Sequence, residues 1–277
     1  MNPSRVLIIA GSDAGGGAGI QADIKAVTAL GGYAMTAITA LTAQNTCGVQ
    51  GVMGVEPAFI REQIRSVVSD LGVDCVKTGM LHDDAVIDAV ADELQRSARH
   101  VPWVIDPVMV AQSGAQLVDD GAMNRLREAI VPMARLITPN LPEAGVLLGQ
   151  RIERVDEMED AARALLGFGC DAVLLKGGHL AGDRLTDVLA TARGCERLEH
   201  PRIDTQSDHG TGCTLASAIA EGLGRELPLA QAVHRGRDYL QQALASAPSL
   251  GAGHGPVNHA HTVAAFGLTH PGESRLP

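Results

Sequence analysis

His209-Gly210-Thr211-Gly212-Cys213-Thr214 runs directly into the apolar segment Leu215-Ala216-Ser217-Ala218-Ile219-Ala220. Side-chain-poor positions at the start of a helix leave several backbone N–H groups pointing outward together. A helix N-terminus is also the positive end of the helix dipole, so this turn is built to bind an anion. Inside it sits a thiol, Cys213, which could serve as a nucleophile or as a proton acceptor. The helix terminus would lower its pKa, whereas a neighbouring phosphate would raise it.

Five other stretches carry chemistry. Gly11-Ser12-Asp13-Ala14-Gly15-Gly16-Gly17-Ala18-Gly19 follows the first apolar run. It lacks the Gly-x-x-x-x-Gly-Lys-[Ser/Thr] phosphate loop, and the dinucleotide fingerprint fails because residues 35–42 end without an acid. A loop allowing close backbone approach to a small substrate fits better than a merely flexible turn, with Asp13 and Asp23 as polar contacts. Gln44, at the end of an apolar strand, offers one acceptor and two donors for a heteroaromatic ring edge; an ordinary loop contact is the alternative. Asp106 and Glu143 each follow an apolar run, at the carboxyl edge where open α/β sheets bind ligands. Together they could hold Mg²⁺ through water; taken singly, a turn aspartate and a helix cap explain them. Lys176 ends another apolar run before Gly177-Gly178 and suits a phosphate contact, or a lysine whose stem snorkels along apolar surface. Asp187 gives a weaker signal. His254, His259 and His261 do not have metal-ligand spacing, and a structural or solvent-facing segment is the simpler reading.

The composition is that of a globular chain, with 45% hydrophobic and 19% charged residues. Aromatics are only 2%, so Ala, Val, Leu and Ile must fill the core, which suits helices packed on a parallel sheet. A net charge of −10 argues against non-specific binding to nucleic acid or to an anionic membrane. Five cysteines without a CxxC pair argue against a disulfide framework or a structural zinc site, and fit a reducing cytoplasm. No apolar run is long enough to span a membrane, and residues 6–10 are strand length rather than a signal sequence.

Strand and helix patterns alternate throughout. Strands are expected at 5–10, 34–41, 75–77, 103–105, 136–138, 172–175, 184–191 and 196–202. Helices are expected at 19–30, 57–71, 83–97, 119–130, 142–148, 155–166, 211–222 and 228–245. The alternation predicts a parallel sheet with helices on both faces. No linker or repeat divides the chain, so residues 1–267 are expected to form one domain, with 268–277 a loose tail.

Six motifs in this order are similar to those of hydroxymethylpyrimidine and hydroxymethylpyrimidine-phosphate kinases, thiamine-biosynthesis enzymes of the ribokinase-like superfamily. They are the loop 11–19, Thr42-Ala43-Gln44-Asn45-Thr46, Asp106-Pro107-Val108-Met109, Pro139-Asn140-x-x-Glu143-Ala144, Lys176-Gly177-Gly178-His179 and the turn 209–214. The resemblance covers nearly the whole chain. It implies a three-layer αβα sandwich with a mostly parallel central sheet, phosphoryl transfer from ATP with Mg²⁺, and a homodimer. It implies further that Gly11 and Gln44 hold an aminopyrimidine, with Ala18, Asp23, Met80 and Val108 around it. Lys176 and Thr211 would meet ATP, and Asp106 and Glu143 the metal. Gly210, Thr211, Gly212 and Cys213 would form the anion hole and, with Lys176, carry catalysis.

In sugar-kinase relatives the position of Cys213 is typically an aspartate that acts as base. The implied enzyme phosphorylates an alcohol, 4-amino-5-hydroxymethyl-2-methylpyrimidine, and then the resulting monophosphate. A phosphate with a second pKa of about 6 needs little help from a base. A carboxylate at Cys213 would repel it, whereas a neutral thiol would not. The rival readings are a pyridoxal kinase of the same fold, a non-catalytic pyrimidine-binding protein and, more remotely, an NAD-linked oxidoreductase.

Overall fold

Val6, Leu7, Ile8, Ile9 and Ala10 are all buried, because their strand β1 (Arg5–Asp13) is covered on both faces. Leu7 and Ile9 pack into one helical layer, while Val6, Ile8 and Ala10 pack into the other. This is the two-residue alternation of a pleated strand inside a doubly covered sheet. The computed structural model describes residues 2–109, 120–180 and 182–264.

β1 pairs in parallel with β2 (Tyr33–Asn45) on one side and β4 (Cys75–Thr78) on the other. Beyond β4 the parallel run continues through β5 (Trp103–Ile105), β6 (Leu136–Ile137) and β7 (Ala172–Leu175). Antiparallel strands close both edges: β3 (Gly48–Gly54) beside β2, then β8 (Arg184–Thr191) and β9 (Gly194–Pro201) beyond β7. The resulting nine-stranded order is β3-β2-β1-β4-β5-β6-β7-β8-β9. The chain leaves β1 toward β2 and later returns on its other side at β4. The crevice outside the carboxyl ends of these strands is therefore the switch point where such sheets bind ligands.

Helices α1 (Gly19–Ala29), α7 (Thr211–Gly224) and α8 (Leu229–Ala245) lie on one face. Helices α2 (Pro57–Asp70), α3 (Asp84–Ser97), α4 (Asp120–Ala129), α5 (Leu141–Leu148) and α6 (Met158–Leu166) lie on the other, completing three layers. Local chemistry sets their starts. The Asp83 side chain accepts from Val86 N at 2.9 Å, and Pro57 opens α2. Residues 214 to 223 of α7 are buried without interruption, because the helix lies between the sheet, α1 and α8. Gly236 of α8 lets the last of these approach: a Cβ there would lie 2.9 Å from Ile219 Cγ1.

The alternating pattern and the layers agree with the sequence expectations, but several boundaries move. β1 runs on to Asp13 and β2 to Asn45, so Gly11 and Gln44 belong to strand ends rather than free loops. β3 was not expected, since Gly-Val-Gln-Gly-Val-Met-Gly hides its alternation behind three glycines. The helix expected at 155–166 begins as a 3₁₀ turn, Val155–Glu157, before α6. Residue 119 and the tail 268–277 lie outside the described residues.

Candidate active site

The glycine loop is tied by one carboxylate. Asp13 Oδ1 accepts from Gly15 N at 2.8 Å, and Oδ2 accepts from Gly17 N at 3.0 Å and Ala18 N at 2.8 Å. The His209 Nε2 lies 2.9 Å from the same Oδ2, which joins the loop to the start of α7. Burial alone would raise the Asp13 pKa, but the His209 hydrogen bond and the amides of Ala18 and Gly15 outweigh it and hold the carboxyl below its ordinary range. Gly210 then presses onto the loop: its φ is +82°, and a Cβ would collide with the Gly17 carbonyl and stand 3.2 Å from Ala18 Cα. Glycine is required there twice over, by conformation and by space.

Gln44 reaches the same histidine, with Nε2 3.3 Å from His209 Nε2 and Oε1 3.2 Å from Thr42 Oγ1. Thr42 Oγ1 has a single hydrogen and donates it to Ser12 O at 2.9 Å. Exchanging the Gln44 amide oxygen and nitrogen satisfies every group: His209 N–H donates to Asp13 and Gln44, and the Gln44 amide donates to Thr42. Gly11 and Met80 meet beside this network, a Cβ on Gly11 falling 2.5 Å from Met80 Cε. Val108 is half-buried after a tight turn in which its N–H donates to Asp106 O at 2.8 Å.

Charge gathers at the ends of β5, β6 and β7. Lys176 Nζ lies 3.0 Å from Asp106 Oδ1, which also accepts from Thr138 Oγ1 at 2.8 Å. Burial works against both charges, but the ammonium of Lys176 with that of Lys77 lowers the Asp106 pKa, while Asp106 and Glu143 raise that of Lys176. Both groups remain ionised. Asp106 Oδ2 has no hydrogen-bond partner among the described residues and would lie 3.4 Å from a Cβ placed on Gly212. Glu143 and Asn140 form a reciprocal capping box on α5, each bond 2.8 Å. Burial pushes Glu143 up to about 7, against the pull of Lys176. The strand end carrying Lys176 is fixed by Asp187, which accepts from Gly177 N at 3.0 Å and is itself held by Arg237 of α8 at 3.0 Å.

At the first turn of α7, the amides of Gly212 and Cys213 have no acceptor among the described residues, and Gly210 provides no side-chain cap. They remain open for an anion. The start of α1 also lies against the start of α7, because Gly210 packs on Gly17 and Ala18, so two helix N-termini converge near the Cys213 sulfur and the Gly19 amide favours its thiolate. Even so, burial pushes the thiol up to about 12; Asp23 and Asp106 add to the rise, while Lys77 and Gly19 N oppose it. At neutral pH the sulfur is a thiol, because burial outweighs the helix terminus.

Asp23 corrects the sequence reading. It is fully buried, with Lys77 Nζ at 2.8 and 2.9 Å from its two oxygens and Ser217 Oγ at 2.7 Å, so it lies beneath the crevice and not on its surface. Asp13 likewise spends its oxygens on the loop. His209, Thr138 and Lys77 were missed. For Lys77 the signal was present: a lysine within the otherwise wholly buried strand Cys75-Val76-Lys77-Thr78. The histidine segment is structural in part: His259 Nε2 lies 2.9 Å from Thr214 Oγ1 at the base of the anion turn, and Tyr239 donates to the His259 carbonyl at 2.5 Å. Among the described residues no three His, Cys, Asp or Glu side chains are grouped to hold a metal, and no helix is long and apolar enough to cross a membrane.

A mostly parallel three-layer sandwich, with lysine, aspartate and an open helix N-terminus at its carboxyl edge, places the molecule among the ribokinase-like kinases. A model of the phosphomethylpyrimidine kinase family matches residues 13–258, and the chain belongs to that family. It is 47% identical over 265 residues to the hydroxymethylpyrimidine/phosphomethylpyrimidine kinase of Salmonella typhimurium, covering 94% of this chain and 99% of that one. It is 51% identical over 254 residues to the thiamine biosynthesis bifunctional protein ThiED of Geobacter sulfurreducens, covering 92% of this chain but only 52% of that longer protein. Among solved structures, an ADP complex of Bacillus subtilis pyridoxal kinase superimposes with a TM-score of 0.87 at 34% identity, covering 94% of this chain and 98% of that one. The protein is a phosphotransferase, and its family implies ATP as donor.

Because the native state depresses the Asp13 pKa, the carboxylate contributes stability that is fully present above its unfolded value of about 3.9. That contribution is lost as pH falls through the lower, folded value. Wild type is expected to exceed Asp13→Asn in urea midpoint at pH 7, with the gap closing below about pH 4. A gap unchanged between pH 6 and pH 3 would show that Asp13 contributes through shape and not through charge.

Proposed function

We propose that the protein transfers the γ-phosphoryl group of ATP to the hydroxymethyl group of 4-amino-5-hydroxymethyl-2-methylpyrimidine, and then to the resulting monophosphate. The observation that supports this best is the convergence of Lys176, Asp106 and the open amides of Gly212 and Cys213 next to a crevice edged by Gly11, Met80 and Gln44. The family membership supplies the substrate class. Residues 1–267 act in this reading as one catalytic domain, and the free thiols of all five cysteines suit a cytoplasmic enzyme.

Gln44 and the backbone around Gly11 hold the ring by its polar edge, with Ala18, Met80 and Val108 as walls. The substrate oxygen attacks the γ-phosphorus, and the bond to the bridging oxygen breaks as ADP leaves with the electron pair. Transfer of this kind depends on positioning and on charge. The Gly212 and Cys213 amides face the equatorial oxygens as a preorganised anion hole, completed by Gly210 and Thr211. Lys176 offsets the transferring charge from the other side, and Asp106 holds its ammonium in place. Thr211 adds a hydroxyl on the nucleotide side. The unpartnered Asp106 Oδ2 and the carboxylate of Glu143 are hard oxygen donors that fit Mg²⁺, which keeps most of its water and shares substrate phosphates. When bound, Mg²⁺ neutralises phosphate charge.

Cys213 takes the alcohol's proton after the thiol has released its own to solvent, and the thiol is restored as the alcohol oxygen bonds to phosphorus. As a thiol it does not repel a substrate that already carries a phosphate.

The hairpin β2–β3 supports a homodimer. Leu41, Val52, Met53 and Phe59 are exposed on or beside it, and β3 is a sheet edge. An apolar edge invites pairing, and a second copy would cover it.

Purified protein with Mg-ATP is expected to convert hydroxymethylpyrimidine to its monophosphate and the monophosphate to the diphosphate, followed by mass spectrometry. Absence of diphosphate sinks the assignment, and efficient turnover of pyridoxal alone replaces it with the pyridoxal kinase reading. Cys213→Ser should slow alcohol phosphorylation at least about tenfold more than monophosphate phosphorylation; equal losses would remove the proton-acceptor role. By light scattering after gel filtration, wild type should run as a dimer and Val52→Lys/Met53→Glu as a monomer. A monomeric wild type refutes the interface.

A further inference from the structure

The Gln44 amide is held at both ends by groups whose own hydrogens are already committed. Asp13 Oδ2 accepts from Gly17 N, Ala18 N and His209, so this carboxylate has no hydrogen to give and His209 Nε2 must carry one. The end of the Gln44 amide that stands 3.3 Å from this N–H is therefore its oxygen. Thr42 Oγ1 spends its single hydrogen on Ser12 O at 2.9 Å, so the amide end 3.2 Å from that hydroxyl is the nitrogen, which donates to it. The reverse placement would set donor against donor at His209 and lone pair against lone pair at Thr42.

Both holding groups are fixed in turn. Gln21 of α1 accepts from Asp13 N at 2.9 Å and donates to Ser12 Oγ at 2.7 Å, and His209 N donates to Gly255 O at 3.0 Å. The Gln44 amide has no further partner among the described residues, which leaves one N–H and one lone pair for a ligand. Their order has a direction. His209 leads straight into Gly210 and the anion turn, whereas Thr42 lies on β2. The amide oxygen is thus on the side of the anion turn and the nitrogen on the side of β2.

An aminopyrimidine edge matches this order, since its exocyclic amino group donates and the ring nitrogen beside it accepts. The carbon that bears the hydroxymethyl group lies next to the amino-bearing carbon, on the side away from that ring nitrogen. Pairing with the amide as it stands sends the hydroxymethyl group toward Gly210–Cys213. Pairing with a reversed amide would send it toward β2, away from the open amides.

We propose that His209, backed by Asp13, and Thr42, backed by Ser12, are specificity-determining residues that lock the Gln44 amide with its oxygen toward the anion turn. The lock selects a ring whose amino group stands between a ring nitrogen and the hydroxymethyl-bearing carbon. It rejects a ring with an oxo group in place of the amino group, because donor and acceptor are then exchanged. Such a ring meets the locked amide only when turned end for end, with its hydroxymethyl group away from the turn. The inference rests on the pyrimidine alcohol assigned above as substrate.

The kinetic test compares kcat/KM with Mg-ATP for the amino alcohol and for 5-hydroxymethyl-2-methylpyrimidin-4-one. Wild type is expected to favour the amino alcohol at least about hundredfold. Thr42→Val removes one of the two constraints, so the amide can turn over to meet the oxo ring. The ratio should then fall at least about fivefold, while Thr42→Ser keeps it. A merely structural role for Thr42 would lower both values in parallel. An unchanged ratio in Thr42→Val overturns the proposal, as does a wild-type ratio below about threefold. The orientation is also read without turnover, by NMR of isotope-labelled protein. The Gln44 side-chain N–H protons, assigned by their loss in Gln44→Glu, should show Overhauser contacts to the Thr42 methyl group and none to the His209 ring. Contacts to the His209 ring overturn the proposal, and this measurement decides alone if Thr42→Val fails to fold. The expected contacts in a protein that phosphorylates neither alcohol would keep the locked amide and discard the kinase assignment. Equal phosphorylation of both alcohols would keep the kinase and discard the lock.

Discussion

The organisation of the site depends on the contact between the N-terminus of α7 and the loop after β1. Gly210 touches the Gly17 carbonyl so closely that no side chain fits, and its left-handed backbone directs the following amides into the crevice. Asp13 makes the contact stable by collecting three loop amides and His209 on one carboxylate. Two helix N-termini, those of α1 and α7, are thereby brought to one point. A partial positive charge from each falls on the same small volume. A protein with a net charge of −10 thus presents a local field that welcomes phosphate.

The charged side chains around that point form two tiers. In the upper tier Lys176 is partly exposed at the edge of the sheet and Asp106 is buried beneath it, with Thr138 fixing the direction of Asp106. In the lower tier Lys77 and Asp23 are sealed from water. Each lysine comes from the end of a buried strand and each is matched by a carboxylate from a different element. A low-dielectric setting makes an unpaired charge here costly, so removing either partner of a pair would be strongly destabilising. The C-terminal segment serves the same region: His259 supports Thr214, and His209 N donates to Gly255 O at 3.0 Å.

Much of the fold was legible because it rests on local patterns. Apolar runs of strand length alternated with helical spacing, and only β3, with three glycines in seven residues, escaped. The strand-end acids and Lys176 were legible for a related reason. A charged residue at the end of a buried run must emerge at the edge of the sheet. Asp23 misled, since a carboxylate shortly after a glycine loop looks available for a ligand, and nothing local shows that Lys77, 54 positions away, will claim it. His209 was passed over although it stands beside the anion turn, because its partners Asp13 and Gln44 are distant in the chain.

The amino-acid sequence by itself determined the alternation of strands and helices, the doubly covered sheet and the glycine turn with open amides at the start of α7. Each follows from side-chain period, glycine placement or unsatisfied helix amides, which are properties of a few consecutive residues. Only the tertiary structure decided which carboxylates face the crevice and which lie under it, and which histidine joins the two loops. It alone showed that Cys213 is a half-buried group that burial keeps as a thiol. Those outcomes depend on burial and on charges brought together from remote parts of the chain, and pKa follows from such surroundings and not from residue type alone.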